Sequence, residues 1–140
     1  MQKLKKGIIK TLNTILSIID TTKLESEVRI TLVRDYILTK TISNELSTLE
    51  EETVKKIVTD EFKELQSKEN KTEQDTIYLN ELSNQINKEY VDILSSSLNE
   101  EVDIDLKTMS EDDFDKLIGE VTDLKPNQFD LIHEVLVKQE

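Results

Sequence analysis

From its N-terminus the chain alternates apolar stripes of helical period with short polar interruptions. Leu4, Ile8, Leu12, Ile15 and Ile19 recur every three to four positions. That spacing predicts a helix over 3–19, with Lys3, Lys6 and Lys10 on the opposite face. Thr22 and Glu25 have the spacing of a capping box and predict the start of a second helix of about 20 residues. Its inward stripe is Leu24, Val28, Leu32 and Tyr36, widened by Val33 and Ile37. The β-branched residues of 29–42 make a strand the alternative there, but they lack alternation, which favours helix. Ser47 and Glu50 repeat the capping-box spacing, and Val54, Ile57, Val58, Phe62 and Leu65 follow as a third amphipathic stripe. Residues 66–75, QSKENKTEQD, contain no apolar side chain and read as a loop. A fourth helix of about 25 residues turns Leu79, Leu82, Ile86, Tyr90, Ile93 and Leu94 inward. Glu89 and Ser96 break its heptads, which argues against an extended coiled coil.

Beyond it the period changes. Val102, Ile104 and Leu106 alternate with Asp103, Asp105 and Lys107, as in a short extended segment with one buried face. Ser110 and Asp113 then form a variant capping box, and Met109 and Phe114 take the positions of a hydrophobic staple. Phe114, Leu117, Ile118 and Val121 make a short helix. Pro126 opens a last one, with Leu124 and Phe129 at staple spacing and Leu131, Ile132, Val135 and Leu136 inward. The pattern predicts an all-α fold: a compact bundle of five or six amphipathic helices with at most one short extended segment near 102–106. It forms one domain over 1–140, and the polar loop 66–75 is the one place to subdivide it. The chain has no internal repeats.

Composition sharpens this picture. Charged residues make up 34 % and the net charge is −12, so the protein's own field repels polyanions and nucleic-acid binding is not expected. Without cysteine there is no disulfide, thiolate nucleophile or sulfur-ligated zinc. No apolar run is long enough to span a bilayer. The basic start resembles a signal peptide only until Lys10, Asn13 and Ser17 interrupt the apolar stretch, so it reads as part of the mature protein. Alanine is absent, with two glycines and one proline, while Lys, Ile, Asn and Glu abound. This codon bias points to an AT-rich genome, such as that of a low-GC bacterium or its phage. It also deprives the helices of their best former, so tertiary packing must hold them.

The densest candidate for chemistry is acidic: residues 99–124 carry ten carboxylates and two lysines. A calcium loop starting at Asp103 would continue well at Asp105. It then fails at Lys107, where a ligand belongs, at Thr108, where glycine belongs, and at Phe114, where a bidentate Glu belongs. Carboxylates at 111–113 are better explained as first-turn residues that complement a helix dipole. His133 is the only histidine, and no G-x-S-x-G elbow presents a serine to it. Gly7 and Gly119 cannot build a phosphate-cradling loop. No catalytic, cofactor or metal site is therefore expected. Residues 1–10, in contrast, hold four lysines and no acid. Lys3, Lys6 and Lys10 are the candidate docking face, for an acidic protein groove or a membrane surface. Packing of that helix into the protein's own bundle, its lysines facing the acidic segment or solvent, is the favoured reading.

Three segments carry a family resemblance: VRITLVRDYI at 28–37, LSTLEEETVKKIVTDEFKELQ at 46–66 and EYVDIL at 89–94. Their order resembles that of the GatB/YqeY family, small helical proteins related to the tail domain of a tRNA-dependent amidotransferase subunit. The family's proline after the tyrosine-leucine pair and its C-terminal glycines are missing here. The resemblance implies an accessory role linked to tRNA, which the net charge opposes. The residues themselves point to a non-catalytic protein–protein interaction or assembly protein, able to form oligomers. It would work in the cytoplasm or, if phage-encoded, in a virion.

Overall fold

A computed structural model describes residues 1–139. Among them the order is β1 (Gln2–Lys5), α1 (Lys6–Ile18), α2 (Ser26–Ile57), α3 (Asp60–Ser67), α4 (Glu73–Leu98), β2 (Glu101–Ile104), α5 (Glu111–Glu120) and α6 (Pro126–Leu136). The fold is the all-α bundle that the periodicity predicts, with six helices and one two-stranded sheet among the described residues.

The sheet corrects the N-terminal helix. Residues 2–5 are a strand, paired antiparallel with β2 so that Lys3 stands opposite Asp103 and Lys5 opposite Glu101. Opposite charges in such cross-strand positions favour the pairing. Helix α1 therefore begins only at Lys6, whose N–H still donates to the Glu100 carbonyl at 2.9 Å. Gly7 sits where α1 passes the end of α4. A Cβ there would meet the Leu98 carbonyl at 3.2 Å, which suits a residue without a side chain.

Two of the expected helix starts are not starts. Thr22 bonds to Asp20, whose Oδ1 accepts from both the Thr22 N–H and its hydroxyl, and α2 begins later, at Ser26. The Ser47–Glu50 spacing lies inside α2, which runs unbroken for 32 residues, about 48 Å. Its true end is at Val58, after which Thr59 caps α3 by accepting the Phe62 N–H at 3.2 Å. The polar loop is shorter than 66–75. Helix α3 runs to Ser67, and Thr72 with Asp75 forms a complete capping box that starts α4. At α5, Ser110 accepts the Asp113 N–H, and both staple residues, Met109 and Phe114, are buried. Pro126 is the first residue of α6, and Gln128 accepts the Lys125 N–H.

One apolar core joins both ends of the chain. Ile9, Leu12, Ile15 and Leu16 of α1 pack with Val28 and Leu32 of α2. Ile104, Leu106 and Met109 and the inner faces of α5 and α6 complete it. Met109 also exchanges backbone hydrogen bonds with the end of α6, at 2.7 Å to Leu136 and 2.9 Å from Lys138. The second half of α2, with α3 and most of α4, lies outside this core. Leu46, Ile57 and Leu94 are its buried hydrophobics, and α3 buries none. Leu79, Leu82, Ile86 and Tyr90 are only half-buried, and Val54 and Ile93 face outward, against the expected inward stripes.

This division generates unequal mutational costs. Leu12→Ala, at a fully buried site, should destabilise the protein by about 2–5 kcal/mol. Ile77→Ala, on the exposed side of α4, should stay within about 0.5 kcal/mol of wild type. Urea denaturation followed by circular dichroism measures both.

Candidate functional site

The predicted basic face is largely spent on the fold. Lys6 pairs with Glu100 at 3.2 Å, and Lys10 with Glu50 of α2. Lys3 is exposed on β1, opposite Asp103. The apolar face of α1 lies in the core. In the acidic segment Glu100 pairs with Lys6, Glu101 and Asp103 stand opposite Lys5 and Lys3, and Lys116 lies 3.9 Å from Asp113 and pairs with Glu25 at 3.0 Å. His133 is half-buried, 2.8 Å from Glu111, with the Phe114 ring 5.0 Å away. Among the described residues no three histidine or carboxylate side chains converge as metal ligands would.

A polar cluster that the sequence reading missed lies under α2. Asp35 is fully buried: its Oδ1 accepts the Lys107 N–H at 2.7 Å, and its Oδ2 has no hydrogen-bond partner. One turn on, the Thr39 hydroxyl donates to the Asp35 carbonyl, and Asn13 of α1 donates to Thr39 at 3.1 Å and to the Tyr36 carbonyl at 3.2 Å. The expected stripe put Tyr36 inward. The helix turns 28, 32, 35 and 39 most deeply into the core, and Tyr36 packs half-buried against it. Burial pushes the Asp35 carboxyl up to about 7, against the opposing Lys107 N–H and charge. Among the described residues no nucleophile or second acid bonds to this carboxyl, and its bond to Lys107 latches α2 to the segment after β2.

The opposite face of α2 is uncovered. Ile30 and Ile37 are 58 % and 59 % exposed, and Val33 and Leu38 are each 41 % exposed. Val33 and Ile37 thus face away from the core that the sequence assigned them. Ser26, Arg29, Ile30, Val33, Arg34 and Ile37 line a shallow groove along this face. A second groove continues it past Thr41, Asn44, Glu45, Thr48, Leu49 and Glu52. Both are lined by α2 alone. Arg29 and Arg34 are the chain's only arginines, and neither is in an ion pair among the described residues, despite 30 acidic residues in the sequence. Exposed aliphatics bracketed by arginine have the composition of an interface core.

No family model matches the chain, and no curated protein or solved structure matches it.

The latch has a pH signature. The folded-state value of Asp35, about 7, lies above the 3.8 of an ordinary aspartate, so the fold holds the proton more tightly than the unfolded chain does. Its contribution to stability is full below pH 3.8 and is lost as pH rises towards 7, by about 4 kcal/mol at most. Asp35→Asn keeps an oxygen for the Lys107 N–H and carries no charge. Urea midpoints for wild type should fall between pH 5 and pH 8 by more than those of the variant.

Proposed function

We propose that this is a non-catalytic protein–protein interaction or assembly protein that works through the outer face of α2. The observation that carries the reading is the row Ile30, Val33 and Ile37, left open beside two arginines that form no ion pair among the described residues. With 41–59 % of these residues in water, each forgoes about half of the roughly 1.5–3 kcal/mol that full burial gives. A soluble surface tolerates such a row best where a partner covers it. The dispersal of the acidic residues into strand register, caps and ion pairs supports the absence of a catalytic role. The proposed setting is the cytoplasm, or a virion if the chain is phage-encoded. No helix among the described residues is long and apolar enough to cross a membrane.

A photo-crosslinking residue at position 37 tests the reading in the native host. It should give discrete protein adducts that the same probe at Asn84, on α4, does not. Equal labelling from both positions would remove the support for a dedicated surface. Adducts with tRNA would instead favour the accessory role implied by the GatB/YqeY resemblance.

A further inference from the structure

We propose that the partner on this face is a second copy of the chain. Two α2 helices would pair antiparallel about a two-fold axis near residues 39–40. The proposal rests on the interaction reading above and assigns its occupant.

The charge of α2 is divided along its length. Between Val28 and Asn44 the exposed face carries Arg29, Arg34 and Lys40, and the one carboxylate in that span, Asp35, is buried on the other side. From Glu45 to Glu52 the helix carries four glutamates and no cation, and of these only Glu50 is held by Lys10. Leaving aside Glu27 in its first turn and Lys55 and Lys56 in its last, α2 is basic in the first part of 28–52 and acidic in the second, and such a stretch complements itself when reversed. With the axis near 39–40, Arg34 meets the second copy's Glu45 on one flank, and Arg29 meets its Glu51 on the other. The two-fold axis repeats each pair.

The same alignment covers the apolar row. Ile37 lies over the second copy's Thr41 and Asn44 and Val33 over its Asn44 and Thr48, Leu38 packs beside Thr41 near the axis, and Ile30 reaches the half-buried Leu49. Other alignments do worse. An axis through the centre of the apolar row, near 33–34, would put Arg34 against Arg34, and a parallel pair would stack like charges all along the helix. Glu27 and Glu52 face each other at the open ends of the favoured alignment, and Lys40 approaches its own copy near the axis. All three are exposed, where water and salt screen repulsion. The outward positions Ser26, Ile37 and Thr48 recur every 11 residues, a period that keeps the row on one side of a nearly straight helix.

The contact runs along about 40 Å of helix. Its area falls at the low end for specific interfaces, and each copy brings a charge of −12, so the dimer should be weak. A dissociation constant of about 10–100 µM is expected.

Sedimentation equilibrium of the full chain up to about 0.5 mM tests this, since dimers of that strength then predominate. The wild type should fit a monomer–dimer equilibrium. Ile37→Glu, Arg34→Glu and Glu45→Arg should each weaken it about tenfold or more while circular dichroism stays unchanged. Mixing the Arg34→Glu and Glu45→Arg proteins should restore association, because the heterodimer regains an opposite charge at both sites. A wild type that stays monomeric, a dimer indifferent to these substitutions, or a mixture no tighter than its components would overturn the proposal. If the chain is monomeric while the position-37 probe still captures a different protein, or lipid, the second copy fails as occupant. The exposed face then keeps its role only in the protein case. If the probe captures nothing, both readings fail together.

Discussion

Closure of the chain by β1 and β2 is the constraint on which the remaining structure depends. Leu4 pairs with Val102 and Gln2 with Ile104, so a four-residue strand at the N-terminus fixes a loop of about 100 residues. Closing a flexible loop of that length costs about 4 kcal/mol of chain entropy. Four backbone pairings do not offset that alone. The return comes from what closure brings together: Ile9 and Leu12 of α1 enter one core with Leu117 of α5 and Ile132 of α6. Gln2 adds a hydrogen bond from its side chain to the Val135 carbonyl at 2.8 Å, tying β1 to α6 as well.

Closure also explains the charge asymmetry. A basic N-terminus and an acidic segment a hundred residues later invite the idea of an external partner. Within the fold they are partners of each other, in the β1–β2 register and in the Lys6–Glu100 pair. Both arginines, which form no ion pair among the described residues, lie instead in the middle of the chain, on α2, where the sequence reading assigned a core. A local excess of charge thus says little about function until its distant complement has been sought in the same chain.

How much was legible follows from the range of each interaction. Helices α1, α4, α5 and α6 are visible from their stripes because the signal is local, and so is the alternation of β2. Strand β1 is invisible, since QKLK fits the helical period of the residues after it and only β2, far away in sequence, makes it extended. Ser47 and Glu50 imitate a cap, but a capping box acts only where the preceding turn is absent, and α2 continues with Leu46 buried beneath it. Residues 28–38 are apolar on more than one face, and the stripe alone could not rank the faces. The fold buries the face of Val28 and Leu32, and with it Asp35, whose carboxyl bonds to a backbone group far along the chain. The exposed row of α2 was legible as an excess of apolar residues, though not as a surface.

The Asp35 latch bears on the order in which the protein matures on the ribosome. Its acceptor oxygen and the Lys107 N–H are separated by 72 residues. At a synthesis rate of about 5–20 residues per second, they leave the ribosome roughly 4–14 s apart. During that interval α1 and α2 have emerged, yet the segment that seals them does not exist. Asp35 faces water, carries its charge, and marks the α1–α2 hairpin as unfinished. The desolvation that raises the affinity of this carboxyl for its proton comes only with the chain segment that completes the core.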